Sequence, residues 1–404
     1  MSDPHMSLAR ATNDLHRALI QHLERSGETS LDETRLSALA DQLIREQRLD
    51  VPPTEIEHLI KGVVHRMIGW GPLTPLLQDP HITEIMVNGT HSLYVERGGK
   101  LEALPNEFFD DDEILQVINR MVSQVGRRID ASSPLVDARL PDGSRVNAII
   151  APLSLSGPVL TIRRFPAEPL TLNNLVERQT VSRDMADFLR AAIEARLNIV
   201  ISGGTGSGKT TTLNALASCI PPTERIITIE DAAEMRITHP HLVALESRPP
   251  NMEGKGEVPL RLLLKNALRM RPDRILVGEI RGAEALDMLQ AMNTGHQGSL
   301  TTVHANAPLE SLLRIETMTL MADVELPLPA IREQVRQAIH LVLQQERLKD
   351  GRRKIVAIDA LRTERNPEVR TPYTLEPLFT YDKTEDRFQP TETFSAARTR
   401  LLGL

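Results

Sequence analysis

Residues Leu197 to Thr212, LNIVISGGTGSGKTTT, constrain this chain more than any other stretch. The apolar run Leu197 to Ile201 predicts a buried strand, and Lys209 and Thr210 open a helix. Between them, Gly203, Gly204, Thr205, Gly206, Ser207 and Gly208 form a turn in which every fixed position of the phosphate-loop pattern is present. Such a turn curls so that its N–H groups converge on an anion, and the helix N-terminus adds roughly half a positive charge. Lys209 is placed to neutralise the β- and γ-phosphates of a nucleotide. The Thr210 hydroxyl is placed to meet Mg²⁺, with Thr211 beside it.

The rest of the chain must supply a sheet for this turn. At 404 residues it exceeds what one hydrophobic core usually supports, so two or three domains are expected. Before the loop, residues 11 to 70 read as helices. The clearest stripe is Leu36, Leu39, Ala40, Leu43 and Ile44, and Thr54 with Glu57 reads as a capping box opening a further helix. Strand-like pieces follow: Ile82 to Gly89 and Ser92 to Glu96 as a hairpin, Val136 to Ile149 folded about Pro141-Asp142-Gly143, and Val159 to Phe165. Asp110, Asp111 and Asp112 read as the cap of a helix through Ile114, Val117, Ile118, Met121 and Val122. Pro166, Pro169 and LTLNNL read as a linker.

Beyond it, short apolar strands alternate with helices, the rhythm of a mostly parallel sheet covered on both faces. The strands are Arg225 to Glu230, His241 to Arg248, Arg274 to Glu279 and Ser299 to Ala305, with helices over 260–270, 283–292 and 309–321. Residues 249–258 read as a mobile loop, Ile339 to Leu361 as a closing hairpin, and the remaining tail as polar and weakly patterned. The single cysteine, Cys219, excludes an intramolecular disulfide framework and reads as a packed thiol suited to a reducing cytoplasm. No apolar run approaches the roughly 18 residues that span a bilayer, and no leader opens the chain, so membrane association is expected through a partner.

In doubly wound sheets ligands gather at the carboxyl ends of the strands. Three further clusters fall there. Glu230, Asp231 and Glu234 follow one strand, and one of these acids is suited to orient or deprotonate an attacking water. Glu279 ends another, with Gly278 standing where an aspartate commonly precedes the glutamate; metal positioning then falls to Thr210, Glu279 and Glu230, directly or through water. His296 and His304 bracket the last strand. Eight extended residues span roughly 26 Å, which argues against a shared metal, so His304 reads as a sensor of the γ-phosphate and His296 as its support. Arg139, Arg145, Arg163 and Arg164, read from sequence alone, are surface or ion-pairing residues.

Taken in order, these motifs resemble the secretion-ATPase superfamily that powers type II secretion, type IV secretion and type IV pili. GGTGSGKT resembles its Walker A loop, ITIEDAAEM its Asp box, RILVGEIRG its atypical Walker B and GHQGSLTTVHAN its His box. GPLTPLLQDPHITEIMVNG, DARLPDGSRVNAII and LTIRRF resemble the CpaF-like branch serving tight-adherence (Flp) pili. The resemblance implies an α/β fold: a RecA-like P-loop ATPase domain over 181–404, a linker over 166–180, an α+β N-terminal domain over 71–165 and a helical segment over 1–70, of which 1–6 read as a cloning scar. It further implies ATP and Mg²⁺ as ligands, a homohexamer, a cytoplasmic location, and inner-membrane platform proteins as partners. Pilus assembly is the implied work, with retraction as an extension. In this frame Glu234 becomes the general base, Glu279 the Walker B acid and His304 the phosphate contact. Arg139 and Arg145 become arginines sent into a neighbouring subunit's site.

Two other readings stay open. A nucleic-acid translocase would share the core, but a net charge of −7 and 3% aromatic residues leave little for phosphate tracking or base stacking. A nucleotide-gated scaffold would bind ATP without turnover.

Overall fold

Hydrophobic periodicity sorts the first part of the chain into a helical bundle and an antiparallel sheet, and the second into a wide, largely parallel one. The computed structural model describes all residues except 1–3, 28–31, 48, 50, 165–168, 249, 251–254, 323, 365–370 and 404. The chain divides into two units, Met1–Ala167 and Glu168–Leu404.

In the first unit, helices α1 (Pro4–Ser26), α2 (Glu33–Gln47) and α3 (Ile56–Ile68) form a bundle. The Leu36, Leu39, Ala40, Leu43 and Ile44 stripe packs with Leu15, Leu19, Leu59, Val63 and Val64. Helix α1 already runs through Pro4 to Met6 of the opening stretch. The expected Thr54–Glu57 capping box does not form: Glu55 is the N-cap and makes no side-chain cap. Glu57 turns along its own helix to Lys61 instead, at 2.7 Å, because an opposite charge four residues on is within reach.

A short α4 (Thr74–Gln78) leads into a six-stranded sheet, every pair antiparallel, in the order β3-β2-β1-β6-β5-β4. Its strands are β1 (Ile82–Asn88), β2 (Ser92–Arg97), β3 (Lys100–Leu104), β4 (Leu135–Arg139), β5 (Arg145–Ile149) and β6 (Val159–Arg163). The third strand, β3, extends the expected hairpin; its residues are mostly exposed, Leu101 included, so its burial does not alternate. Helix α5 (Asp111–Ser123) lays Ile114, Val117, Ile118, Met121 and Val122 into the core with Ile85, Val87 and Ile162. The Asp110 side chain accepts the Glu113 N–H at 2.8 Å, a cap whose loss costs about 1 kcal/mol.

The second unit opens on α6 (Leu172–Glu177) and α7 (Arg183–Glu194), then β7 (Ile199–Gly203), α8 (Lys209–Ala217), β8 (Ile226–Glu230) and β9 (Leu242–Glu246). Next come α9 (Leu260–Ala267), β10 (Arg274–Val277), α10 (Glu284–Asn293), β11 (Leu300–Val303), α11 (Pro308–Leu320) and α12 (Leu328–Ala338). The chain closes with β12 (Leu341–Arg347), β13 (Arg353–Leu361), β14 (Leu375–Asp382), β15 (Arg387–Pro390) and α13 (Phe394–Leu402). The sheet order is β15-β14-β13-β12-β7-β11-β10-β8-β9. From β12 to β9 all neighbours are parallel, and β13 to β15 add antiparallel strands at one edge. Alternate residues face two cores: Ile199 and Ile201 join α7 and α8 on one side, Val200, Ile275 and Val277 join α9 to α12 on the other.

One expectation is corrected here and another is filled in. LTLNNL is not linker: it is α6, closed by a reciprocal capping box between Thr171 and Asn174, with Leu172 and Leu175 buried in the core beside Phe188. The tail, polar and weakly patterned in sequence, carries β14, β15 and α13. Its few aromatics are well spaced: Phe379 and Phe394 pack against Phe188 with ring centroids 6.0 and 5.5 Å away and against each other at 4.4 Å, fastening β14 and α13 to α7. Half of the loop expected over 249–258, residues 249 and 251–254, lies outside the described residues; at its ends Arg248 and Val258 form an isolated antiparallel bridge.

Candidate functional site

The glycine-rich turn sits at the carboxyl end of β7, the central strand of the nine-stranded sheet. Its shape is imposed from below. A Cβ on Gly203 would lie 2.3 Å from the Gln345 carbonyl oxygen of neighbouring β12, so no side chain fits there. Gly208 has φ +97°, a left-handed conformation that favours glycine, and caps α8. Lys209 is 7% exposed. Its Nζ donates to the carbonyls of Gly203 and Gly204, both at 3.0 Å, and the Ser207 hydroxyl donates to Gly204 at 2.9 Å. Thr205 is exposed at the tip, while Thr210 and Thr211 lie half-buried in the first turn of α8.

From Lys209 a chain of polar contacts runs across the strand ends. Its Nζ is 3.3 Å from His304 Nδ1, His304 Nε2 is 3.1 Å from Glu279 Oε1, and Arg281 donates to Glu279 Oε2 at 2.8 Å. Burial pushes the His304 imidazole below its ordinary value of 6.5; the charges of Lys209, Arg281 and Arg314 add to the shift and Glu279 opposes it. The ring is therefore neutral at neutral pH. Because an ammonium only donates, Nδ1 is the acceptor and the Nε2–H donates to Glu279. The Arg281 guanidinium is raised by its hydrogen bond to Glu279, with the charges of Asp231 and Glu234 contributing. Glu234, Glu279, His304 and Lys209 thus share one electrostatic neighbourhood at the carboxyl edge.

Glu230 does something else. It is 4% exposed, and its Oε1 accepts the N–H groups of Glu234 and Met235, each at 2.9 Å. A Cβ on Gly278 would meet the Glu230 Cγ at 2.9 Å, so the Glu230 side chain fills the place that an aspartate at 278 would need. The missing aspartate and the buried glutamate are two sides of one packing solution, and Glu230 shapes the turn that carries Glu234.

Comparison with known proteins shows the family. The model of the Type II/IV secretion system protein family matches residues 67–366. The chain belongs to that family. Conjugal transfer protein TrbB of Rhizobium radiobacter is 35% identical over 292 residues, spanning 71% of this chain and 86% of TrbB. Type IV secretion system protein VirB11 of Bartonella henselae is 30% identical over 326 residues, spanning 71% of this chain and 90% of VirB11. The X-ray structure of the Yersinia pseudotuberculosis ATPase DotB has a TM-score of 0.54 over 72% of this chain and 78% of that one, at 20% identity. The α/β fold is the one this family uses, an N-terminal domain followed by a RecA-like ATPase domain.

Not every residue singled out from the sequence reaches this secretion-family site. His296 is corrected: it precedes β11, whereas His304 follows it, and parallel pairing of β11 with β7 puts His296 at the opposite, amino edge. There its carbonyl accepts the Ser299 hydroxyl at 2.7 Å. Within the chain it is no support for His304. Arg139 and Arg145 belong to the first unit, directly opposite one another at the end of the β4–β5 hairpin, with Arg145 bonded to Asp137 at 3.1 Å.

Conversely, three residues of the site escaped the sequence reading. Arg281 lies within RILVGEIRG, and its spacing from Glu279 was a usable signal. Gln345 and Arg353 carried none, because they reach the loop from more than a hundred residues away: Thr212 donates to Gln345 Oε1 at 2.8 Å, and Arg353 Nε donates to the Gly206 carbonyl at 3.1 Å. Among the described residues no helix is long and apolar enough to cross a membrane.

Proposed function

We propose that this chain is an ATP-hydrolysing motor subunit of the secretion family that works as a homohexamer on inner-membrane platform proteins and drives assembly of tight-adherence (Flp) pili, with retraction as a further stroke. The observation that carries the hydrolytic reading is the continuous contact from Lys209 through His304 to Glu279. A shift at the phosphates moves Lys209, and the imidazole passes that shift to the acid at the end of β10. Phosphates would be held by the N–H groups of the 203–208 turn, by Lys209, and by the first turn of α8 with Thr210 and Thr211. Glu234, on the segment held up by Glu230, is the general base that draws a proton from the attacking water.

The residues fit Mg²⁺. No group of three His, Cys, Asp or Glu side chains able to hold a metal occurs among the described residues, and Mg²⁺ needs none, since it keeps several waters and takes one or two protein ligands besides phosphate oxygens. Thr210 and Glu279 are the candidate ligands, while Glu230 is committed to backbone N–H groups. When bound, the ion neutralises phosphate charge. In the assembled ring Arg139 and Arg145 reach a neighbouring site, where an arginine supplied in trans is worth about 10³ to 10⁵ in rate in the best cases.

Steady-state phosphate release from wild type, Glu234→Gln and Glu279→Gln tests this: turnover should collapse in both variants while ATP binding persists. Absence of wild-type turnover would leave the scaffold reading standing. Severalfold stimulation by single-stranded DNA, steeply salt-dependent, would favour the translocase. Mixing with Lys209→Ala subunits should change activity non-linearly, and linear dilution would count against coupled sites. The names of TrbB and VirB11 favour a second reading, a motor for conjugal transfer or type IV secretion. Deletion of the gene separates the two, since loss of surface pili supports the first and loss of transfer with intact pili the second.

A further inference from the structure

The β12–β13 hairpin, which belongs to none of the motifs of the site, touches the phosphate loop at several points. The Gln345 carbonyl closes the space over Gly203; its side chain accepts from Thr212; and a Cβ on Gly208 would lie 3.1 Å from both Gln345 Nε2 and Arg353 Cδ. Arg353 is paired directly opposite Arg347 across the hairpin, and the Arg347 guanidinium also lies against Gly206, 3.7 Å from where a Cβ would be. The hydrogen bond from Arg353 Nε to the Gly206 carbonyl has a directional consequence. In a planar trans peptide the C=O and the following N–H point to opposite sides. Drawing the Gly206 oxygen toward Arg353 therefore turns the Ser207 N–H the other way, across the loop, where it lies 3.4 Å from the Gly204 carbonyl that Lys209 and the Ser207 hydroxyl also approach.

We infer that Arg353 is a positioning residue for nucleotide binding: by holding the Gly206–Ser207 peptide it keeps the Ser207 N–H on the Gly204 carbonyl and so holds the turn in the shape that receives the phosphates, and Gln345 steadies the first turns of α8 from the same hairpin. This rests on the nucleotide reading given above and adds to it a residue outside the loop, Asp box, Walker B and His box. Gly206 has φ +70° and lacks a Cβ, so its peptide has other orientations open to it once the anchor is removed. A turn held in its binding shape serves the ground state and the transition state alike. Losing that shape should therefore raise KM and leave kcat nearly unchanged, unlike loss of an arginine that acts on the transferred phosphoryl group.

The test uses the full chain with ADP and Mg²⁺, comparing wild type, Arg353→Met and Arg353→Lys by calorimetric affinity, ATPase kinetics and nucleotide-free melting temperature. Arg353→Met keeps a stem to pack on Gly208 but has no donor; Arg353→Lys keeps a donor. In Arg353→Met the ADP affinity should fall about 10-fold and KM for ATP rise in step, with kcat within about threefold and the melting temperature unchanged. Arg353→Lys should recover most of the affinity. ADP binding by Arg353→Met equal to wild type would overturn the inference. So would failure of that variant to fold, or a melting loss matching the affinity loss, since the contact would then be structural. If wild type itself bound no ADP, the nucleotide reading would fail first.

Discussion

The two edges of the parallel sheet use the same side chains to opposite ends. At the carboxyl edge Lys209, His304, Glu279 and Arg281 touch in sequence, partly open to solvent, with His304 able to change partners as its protonation changes. The amino edge is a closed lattice. Arg274 is fully buried and bonded to Glu224 at 2.5 Å, with Arg196 on the same carboxylate at 3.1 Å. Burial pushes the Glu224 carboxyl up, but the hydrogen bond and charge of Arg274, then those of Arg196, outweigh it and hold the group below its usual range. Asn198 closes the same edge: its amide donates to the Met292 and Ala338 carbonyls and its oxygen accepts the N–H groups of Gly298 and Ser299. In a parallel sheet the strand ends that point their loops at the ligand are all at one edge, so the other is left to stability. Residue type alone does not reveal which edge a side chain will occupy.

This contrast can be broken by substitution. The largest effect expected is from Lys209→Ala, which should lower phosphate release by at least about 100-fold while the nucleotide-free melting temperature stays near wild type. Arg274→Ala should do the reverse. Removing the buried guanidinium empties its packed site and leaves the Glu224 carboxylate to the half-exposed Arg196 alone, and chemical denaturation should show a loss of about 3 kcal/mol, with per-molecule turnover preserved in whatever folds. If Arg274→Ala instead left stability intact and abolished turnover, the division between edges would be wrong.

A smaller effect is expected in the pH profile. His304 in the folded chain holds its proton less tightly than in the unfolded chain, so its contribution to stability is present above pH 6.5 and is lost as the pH falls through its lowered value. Over the same interval an imidazolium would repel Lys209, and turnover should decline. In His304→Asn, turnover should be lower by about tenfold at neutral pH and that acidic decline should vanish. The smallest effect is that of His296→Ala, whose ATPase activity should stay within about threefold of wild type, measured beside His304→Ala as the contrast.

Legibility in the sequence followed the range of the interactions. The 203–210 turn, the acids after β8 and β10, and His304 were visible because each is set by a short strand and the residue that ends it. The helical bundle stripe and the α5 cap were visible for the same reason, periodicity and capping being local. Errors came where a residue had competing partners. Glu57 chose Lys61 over the helix cap, and Thr171 and Asn174 turned an apparent linker into a helix. The C-terminal strands carried too few apolar residues to read, yet three phenylalanines from α7, β14 and α13 were enough to fasten them.

By itself, then, the sequence determined that a phosphate loop sits between a buried strand and a helix, that acids and a histidine terminate later strands, and that the family motifs stand in order along the chain. Only the tertiary structure decided that Glu230 fills the space beside Gly278, that His296 faces away from the loop while His304 reaches Lys209, and that a late hairpin presents Gln345 and Arg353 to the loop. The physical reason is that a strand's end residue is specified by its own chain. Which strand lies beside it, in what order and direction, is specified by side chains packing on both faces of the sheet, more than a hundred residues away.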